Sequence, residues 1–225
     1  MGNPLTITIL AVTKTYESYC IAGMDANGKW YRPLPELGGK FWSDLRYGDG
    51  AFIQVGDVWE VNNYISENDL TSPGHTEDIR LKSSVTRVKS LNNQQLIQFV
   101  QRNQENKIQL QRTLNANDRS LCLVHVEYFE GFVHTYNERR SARVKFKYNG
   151  EIYHNTTSFP GFPLTDLKWR SYILKEKDTP RIWRSVFICI GLARREPAKN
   201  LNKEFPMVIS IITDPEVPLL SSYPY

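Results

Sequence analysis

The chain has 225 residues, 40 % apolar and 23 % charged, with a net charge of +4; this fits a soluble globular protein with one large domain or two domains of about 100 residues each. No apolar run nears the ~18 residues of a membrane span, and the N-terminus lacks the basic-then-apolar layout of a signal peptide. Three widely spaced cysteines, Cys20, Cys122 and Cys189, argue against a disulfide framework or a zinc site and read as buried reduced thiols, so a cytoplasmic protein without membrane contact is expected and the sequon Asn155-Thr156-Thr157 is expected to be idle.

Strand signals fill the first part of the chain. "LTITILAVTKTY" is rich in β-branched residues, with Leu5, Ile7 and Ile9 alternating against Thr6 and Thr8. "SYCIAGM" and "KWYRPLP" flank Asn27-Gly28, a hairpin signal because both residues tolerate positive φ. "AFIQV" and "DVWEVNNYI" follow, bracketed by Asp49-Gly50 and Gly56-Asp57, and "RLKSSVTRVKSL" alternates more weakly. Short strands at turn-punctuated intervals predict a small barrel or sandwich. The pattern then switches. "NNQQLIQFVQRNQENKIQLQRTLN" lacks Gly and Pro and places Leu96, Phe99, Val100, Leu110 and Leu114 near helical spacing; a helix from about residue 92, broken near Asn103 to Asn106, is expected.

Strands return after Asp118. "SLCLVHVEYFEGFVHTY" has apolar residues on both parities, as in a strand buried on two faces, which makes His125 a satisfied core histidine. "ARVKFKYNGEIYHNTT" is the clearest hairpin. With Asn149-Gly150 as a two-residue loop, Tyr148 pairs Glu151, Lys147 pairs Ile152, Phe146 pairs Tyr153 and Lys145 pairs His154. Val144, Phe146, Tyr148 and Tyr153 then share a core face, and Arg143, Lys145, Lys147 and His154 a wet, cationic one. "FPGFPLTDLKWRSYIL" is a connection running into a short helical turn that Thr165 could cap, with Asp166 beside the helix N-terminus. "RSVFICIGLA" and "FPMVISIIT" are apolar strands around the charged loop "RREPAKNLNKE", and "PEVPLLSSYPY" is an extended tail. The pattern amounts to a mainly β chain of two five-stranded units joined by a helical segment, most simply small closed barrels, with one larger mixed sheet as the rival.

Four stretches in order carry a resemblance: "YCIAGMDANGKWYRPLP", "GHTEDI", "KYNGEIYHNTTSFPGFPLTDLKWR" and "VFICIGLARREP" continued by "KEFPMVISIIT". Their anchors are Ala22-Gly23, Gly28, Trp30, Arg32 and Pro33; His75 and Glu77; Leu164, Thr165, Asp166 and Trp169; and Gly191-Leu192. Together they resemble the prokaryotic dual OB-containing domain family over nearly the whole chain, with His75-Thr76-Glu77-Asp78 in place of that family's histidine-proline-glutamate-type stretch. The resemblance implies two OB-like barrels, expected at 1–118 with the following helix and at 119–225. It also implies a nucleic-acid or nucleotide role, with no catalytic residues to carry over.

From Arg139 to Glu204 there are 15 Lys and Arg against 6 Asp and Glu, so the second half is expected to meet anions, although a solvated lysine face reads the same way. OB barrels bind single strands by stacking bases on aromatic rings and tracking phosphates with cations. The candidates are Arg139, Arg140, Arg143, Lys145, Lys147, Trp169, Arg170, Arg181, Trp183 and Arg184; each Trp reads equally as a core residue. The partner is then single-stranded DNA or RNA, within a nucleic-acid-processing or defence complex by analogy of fold. The alternative readings are a nucleotide-type ligand sensor, with Trp30, Arg32, His75, Glu77 and Asp78 lining a crevice between barrels, or a docking subunit that uses the 194–204 loop and the tail to seat on a larger protein. His75 beside Glu77 and Asp78 is a conceivable base or a simple turn. No Walker loop, GxGxxG, HExxH or GxSxG occurs, so neither enzyme activity, cofactor nor metal is indicated.

Overall fold

The β-branched alternation at the N-terminus produces β1 (Leu5–Thr15), which is buried on both faces. A computed structural model describes residues 4–116, 118–154, 160–175, 182–195, 204–221 and 223–224. In it β1 pairs with β2 (Ser18–Met24), and β2 with β3 (Trp30–Leu34). The turn between β2 and β3 is held by Asp25, whose Oδ1 accepts from the backbone N–H groups of Asn27 and Lys29, and Gly28 takes φ +78°. Gly23 is required by proximity, because a Cβ there would strike the Thr8 carbonyl of β1. β4 (Asp57–Val61) pairs with β1 and β5 (Tyr64–Ser66) with β6 (Asp78–Leu81), which runs parallel to β3. β4 and β5 are two arms of one strand bent at Asn62–Asn63, so the order β5-β6-β3-β2-β1-β4 closes on itself as a barrel, and β7 (Thr86–Ser90) is appended to β4.

The expected strand at "AFIQV" does not form. Only Phe52 makes an isolated bridge, to Arg46, because the turn at Gly50 and the positive φ of Gly56 interrupt the run. Residues 35–56 instead cross the barrel end and plug it with Leu45, Ile53 and the rings of Trp42 and Tyr47 against Trp59. The second barrel places a helix at the same point of its topology.

The Gln-rich segment makes two helices, α1 (Asn93–Asn103) and α2 (Lys107–Leu114), broken where the sequence indicated. Asn92 with Gln95 and Asn106 with Gln109 form a capping box at each start. β8 (Leu121–Val126) and β9 (Tyr128–Tyr136) are again one strand, bent at Glu127. β9 pairs with β10 (Arg139–Tyr148), which is flanked by β11 (Glu151–Tyr153) and β12 (Phe162–Pro163). After α3 (Leu167–Leu174), β13 (Ser185–Leu192) lies between β8 and β14 (Pro206–Asp214). A parallel bridge from Leu164 to Val208 closes the ring. The Asn149-Gly150 hairpin has the register read from the sequence, Tyr148 to Glu151 and Phe146 to Tyr153, and Ala142, Val144, Phe146 and Tyr148 are buried. β11 ends at Tyr153, so the ladder stops at the Phe146–Tyr153 pair and does not extend to Lys145 and His154.

Two expectations fail here. Asp166, not Thr165, caps α3: its Oδ1 accepts from Trp169 N–H and its Oδ2 from Ile211 N–H of β14, while the Thr165 hydroxyl turns to the Val208 carbonyl. His125 is exposed and stacks on Phe187 at 4.7 Å, while Val126 on the other face of β8 is buried. Among the described residues no helix is long and apolar enough to cross a membrane.

The two barrels share a core. Leu10, Ala22, Met24 and Trp30, on the outer face of the first barrel, pack with Leu96, Phe99 and Val100 of α1 against Leu121, Leu123, Phe187, Cys189 and Ile209 of the second. Trp30 is 5 % exposed, and its Nε1–H donates to Glu105 Oε2 at 2.9 Å; the same carboxylate accepts from Leu123 N–H and from Arg119. Main-chain contact adds to this where Lys14 N–H meets the Thr165 carbonyl. Trp30→Ala is expected to cost about 3–5 kcal/mol in chemical denaturation. Arg184→Ala, at a surface ion pair, should stay within about 0.5 kcal/mol.

Candidate functional site

Two constellations of charge and aromatic residues emerge, one closed and one open. The closed one is built on β3 and β6 of the first barrel. Strand alternation sends Trp30 and Arg32 to the outer face of β3, into the junction, while Tyr31 faces the barrel core. Arg32, only 3 % exposed, donates through Nη1 to Asp78 Oδ1 at 3.2 Å and to His75 Nδ1, and through Nη2 to Ser120 Oγ at 2.8 Å. Arg194 of the second barrel donates to Asp78 Oδ2 and Asp69 Oδ2, both at 2.7 Å, and Lys40 closes on Asp69 Oδ1 at 2.8 Å. Glu77 accepts from the backbone N–H groups of Ser120 and Leu121 and from the Ser120 hydroxyl. Arg32, Arg194, Lys40, Asp69 and Asp78 thus each find an opposite charge, the condition under which burial of ions is tolerated, whereas His75 Nε2 and Glu204 Oε1 are buried without a hydrogen-bond partner among the described residues.

The electrostatics of the seam follow from that packing. Burial pushes the His75 imidazole well below its usual pKa, and the cations Arg32, Arg194 and Lys40 push it further the same way. With Nδ1 accepting from Arg32, the ring proton of neutral His75 sits on Nε2, 3.3 Å from Glu204 Oε1. Burial raises Glu204. Burial also acts against ionised Asp69, but hydrogen bonds from Lys40, Thr71 and Arg194 overcome it and hold the carboxyl below its usual range. For Arg32, burial is outweighed by Asp78 and Glu77, and the guanidinium lies above its ordinary value.

Four of the five residues read as ligand-pocket candidates, Trp30, Arg32, His75 and Asp78, are therefore buried and held by one another or by Glu105; Glu77 is half-buried and holds the start of β8. Arg194 and Glu204, at the ends of the loop read as an exposed docking element, belong to the same buried seam; residues 196–203 lie outside the described residues, as do Arg181 and the sequon. The tail residue Tyr223 packs against Phe52 and donates to the Ile53 carbonyl at 2.7 Å. Among the described residues no group of three or more His, Cys, Asp or Glu side chains could hold a metal ion.

The open constellation is the outward face of β9 and β10. Antiparallel register sets residues directly opposite on the same face: Tyr136 faces Arg139, His134 faces Ser141, Phe132 faces Arg143, Glu130 faces Lys145 and Tyr128 faces Lys147. Three of these five rungs pair an aromatic ring with a cation. Tyr136 is 58 % and Tyr128 39 % exposed, and Ile152 of β11 extends the row beside Lys147. The sequence pattern located the cations but missed Tyr128, Phe132 and Tyr136, which only the β9–β10 register brings beside them. The lysines are not bare: Lys145 pairs with Glu130 at 3.0 Å and Lys147 with Glu127 at 2.8 Å. The Glu127 carboxyl lies below its usual range because Lys147 and the Gly150 N–H donate to it. Partial burial lowers the Arg143 guanidinium, which donates to the Gly161 carbonyl at 3.1 Å.

The other aromatic and basic candidates lie elsewhere. Trp169 is 1 % exposed and donates to the Ile211 carbonyl, in the core of the second barrel. Trp183 is half-buried and packs on Phe129 and Trp169, with ring centroids 6.1 and 5.6 Å apart. Phe129 faces Phe146 on the inward side of the ribbon, so Trp183 sits across the ribbon from Lys145 and Lys147. Arg184 forms a bidentate pair with Asp214, Arg170 is half-buried on α3, and Arg140 is exposed but, by alternation, on the opposite parity from Arg139.

A chain of two closed five-path barrels, each with a bent strand shared between its two half-sheets, is a tandem OB-fold protein. The chain belongs to the dual OB-containing domain family, whose model matches residues 5–204. Comparison with curated proteins finds no match. Among solved structures, the tetrameric p202 HIN2 is similar over 95 % of this chain and 95 % of that chain, at 12 % identity and a TM-score of 0.31.

The buried histidine makes a pH signature. Unfolded His75 titrates near pH 6.5 and the folded residue lower, so the unfolded state binds the extra proton and stability falls as pH drops below about 6.5, by up to about 1.4 kcal/mol per pH unit. Glu204, raised by burial, acts in the opposite sense above its ordinary value. Denaturation between about pH 7.5 and 5.5 should therefore show a slope that flattens in His75→Asn. Asp78→Ala strands two buried guanidinium groups and should cost about 3–5 kcal/mol.

Proposed function

We propose that this protein is a non-catalytic nucleic-acid-binding module that contacts its ligand through the outward face of β9 and β10. The observation that carries the reading is the alternation of ring and cation across the ribbon, Tyr136 with Arg139, Phe132 with Arg143 and Tyr128 with Lys147. A base has a π-face for each ring and a phosphate for each cation, and OB barrels use the face around their second and third strands in this way. In this chain β10 is the second strand of its barrel. The equivalent face of the first barrel, on β2 and β3, is covered by α1 and the second barrel. Arg139 and Arg143, at the end of the ribbon near the β9–β10 turn, supply the phosphate contacts, and the basic balance of the second half favours encounter with a polyanion. Service within a larger nucleic-acid-processing or defence assembly is consistent with a binding module that carries no catalytic motif, and pull-down from the native host tests it.

Fluorescence anisotropy with a labelled oligothymidylate tests the face directly. Arg139→Glu with Arg143→Glu should weaken binding at least tenfold and reduce the salt slope by roughly 0.7 per lost contact. Tyr136→Ala should cost about 1–3 kcal/mol of binding free energy with unchanged melting. Equal affinity of the variants and the parent chain would refute the assignment.

A further inference from the structure

The two carboxylates on the ribbon are placed with more constraint than solubility requires. Glu130 stands directly opposite Lys145 in the ladder and pairs with it. Glu127 sits at the bend between β8 and β9, where its backbone N–H is held by the Lys147 carbonyl. Its side chain receives both Lys147 Nζ, at 2.8 Å, and the Gly150 N–H, at 2.6 Å, from the Asn149-Gly150 turn. Both pairs are exposed to water, so they add little to stability. Their effect is on what approaches: each carboxylate cancels the field of the lysine beside it and repels any phosphate brought to that spot.

The cationic character of the face is consequently uneven. At the projecting end Arg139 and Arg143 stand opposite Tyr136 and Phe132 in the ladder. Toward the other end Tyr128 and Ile152 stay exposed while Lys145 and Lys147 are matched by acids. A duplex or a simple polyanion presents phosphates along its whole length and has its bases stacked inside, so it meets Glu127 and Glu130 without reaching the rings. A single strand can turn its phosphates toward the arginine end and its bases onto Tyr128 and Phe132.

We infer that Glu127 and Glu130 are specificity-determining residues, which neutralise Lys147 and Lys145 so that the face accepts a single strand through its bases and rejects duplex nucleic acid and other polyanions. The inference rests on the nucleic-acid reading of the same face. The ring of Tyr128 supplies the attraction at the neutral end, and the carboxylates remove the competing, sequence-blind electrostatic mode.

The test is a comparison of the full-length chain with Glu130→Gln and with Glu127→Gln plus Glu130→Gln. Glutamine keeps an acceptor for the Gly150 N–H, and thermal melting confirms an intact fold. Binding of oligothymidylate, of a duplex of equal length and of heparin is measured by anisotropy across a salt series. The parent chain should prefer the single strand. Each Glu→Gln change should raise duplex and heparin affinity by roughly fivefold and steepen the duplex salt slope by about 0.9 per freed lysine, closing the gap between ligands. If the parent binds the single strand and the variants leave the slope and the ligand ratio unchanged, the inference is overturned while the binding face stands. If the parent binds none of the three, the binding face itself is refuted and the inference with it.

Discussion

The rest of the molecule depends on one buried guanidinium. Arg32 is carried by the alternation of β3 out of its own barrel and into the junction with the second, where water is excluded by the apolar collar of Leu10, Met24, Trp30, Phe99, Leu123 and Phe187. A charge there is tolerated only with partners. Asp78 comes from the parallel neighbour β6, Ser120 from the entry to β8, and Arg194 from beyond β13, which shares Asp78 and brings in Asp69. Since those partners come from both barrels, the ions can be satisfied in only one relative placement of the two. The collar supplies cohesion, which is large and non-directional, and the seam supplies the register of one barrel on the other.

That arrangement makes two similar barrels unequal. The outer face of β2 and β3 is apolar at Ala22, Met24 and Trp30 and is consumed by the junction. The topologically equivalent ribbon of the second barrel carries Arg143, Lys145 and Lys147 outward, half-exposed, and is not consumed by the junction core. The end of the first barrel is plugged by an aromatic loop and that of the second by α3, whose Trp169 fills the core beside Phe129. The division is one of labour between a barrel that holds and a barrel that presents a surface.

The surface itself shows why charge counts mislead. The segment 139–204 has nine more cations than acids, yet two of the three central lysines and arginines of the ribbon are matched by Glu127 and Glu130, which precede the segment. Arg194 is buried among carboxylates and Arg184 is paired with Asp214. What remains distinctive is the pairing of rings with cations across the ladder, a property of register and not of composition.

Much of the local architecture was legible. The Asn149-Gly150 dipeptide dictates the turn, and a period of two then dictates the facing of every residue in β10. The break between α1 and α2 is encoded where Asn106 offers a new cap, and closed barrels follow from short strands that cannot leave their edges bare. The errors were of a different kind: His75, Asp78 and Arg32 look in sequence like the lining of a pocket, because residue type announces charge but not whether the opposing charge arrives from 100 residues away. His125 lies among apolar neighbours in sequence, and those neighbours say nothing about which of the two faces of β8 is covered at that position. By itself, then, the sequence determined the elements, their turns and which side chains alternate, since these depend on neighbours within a few residues. Only the tertiary structure decided which outward faces meet each other and which meet solvent, because that depends on contacts between segments far apart in the chain, whose free energy appears only when both barrels are assembled.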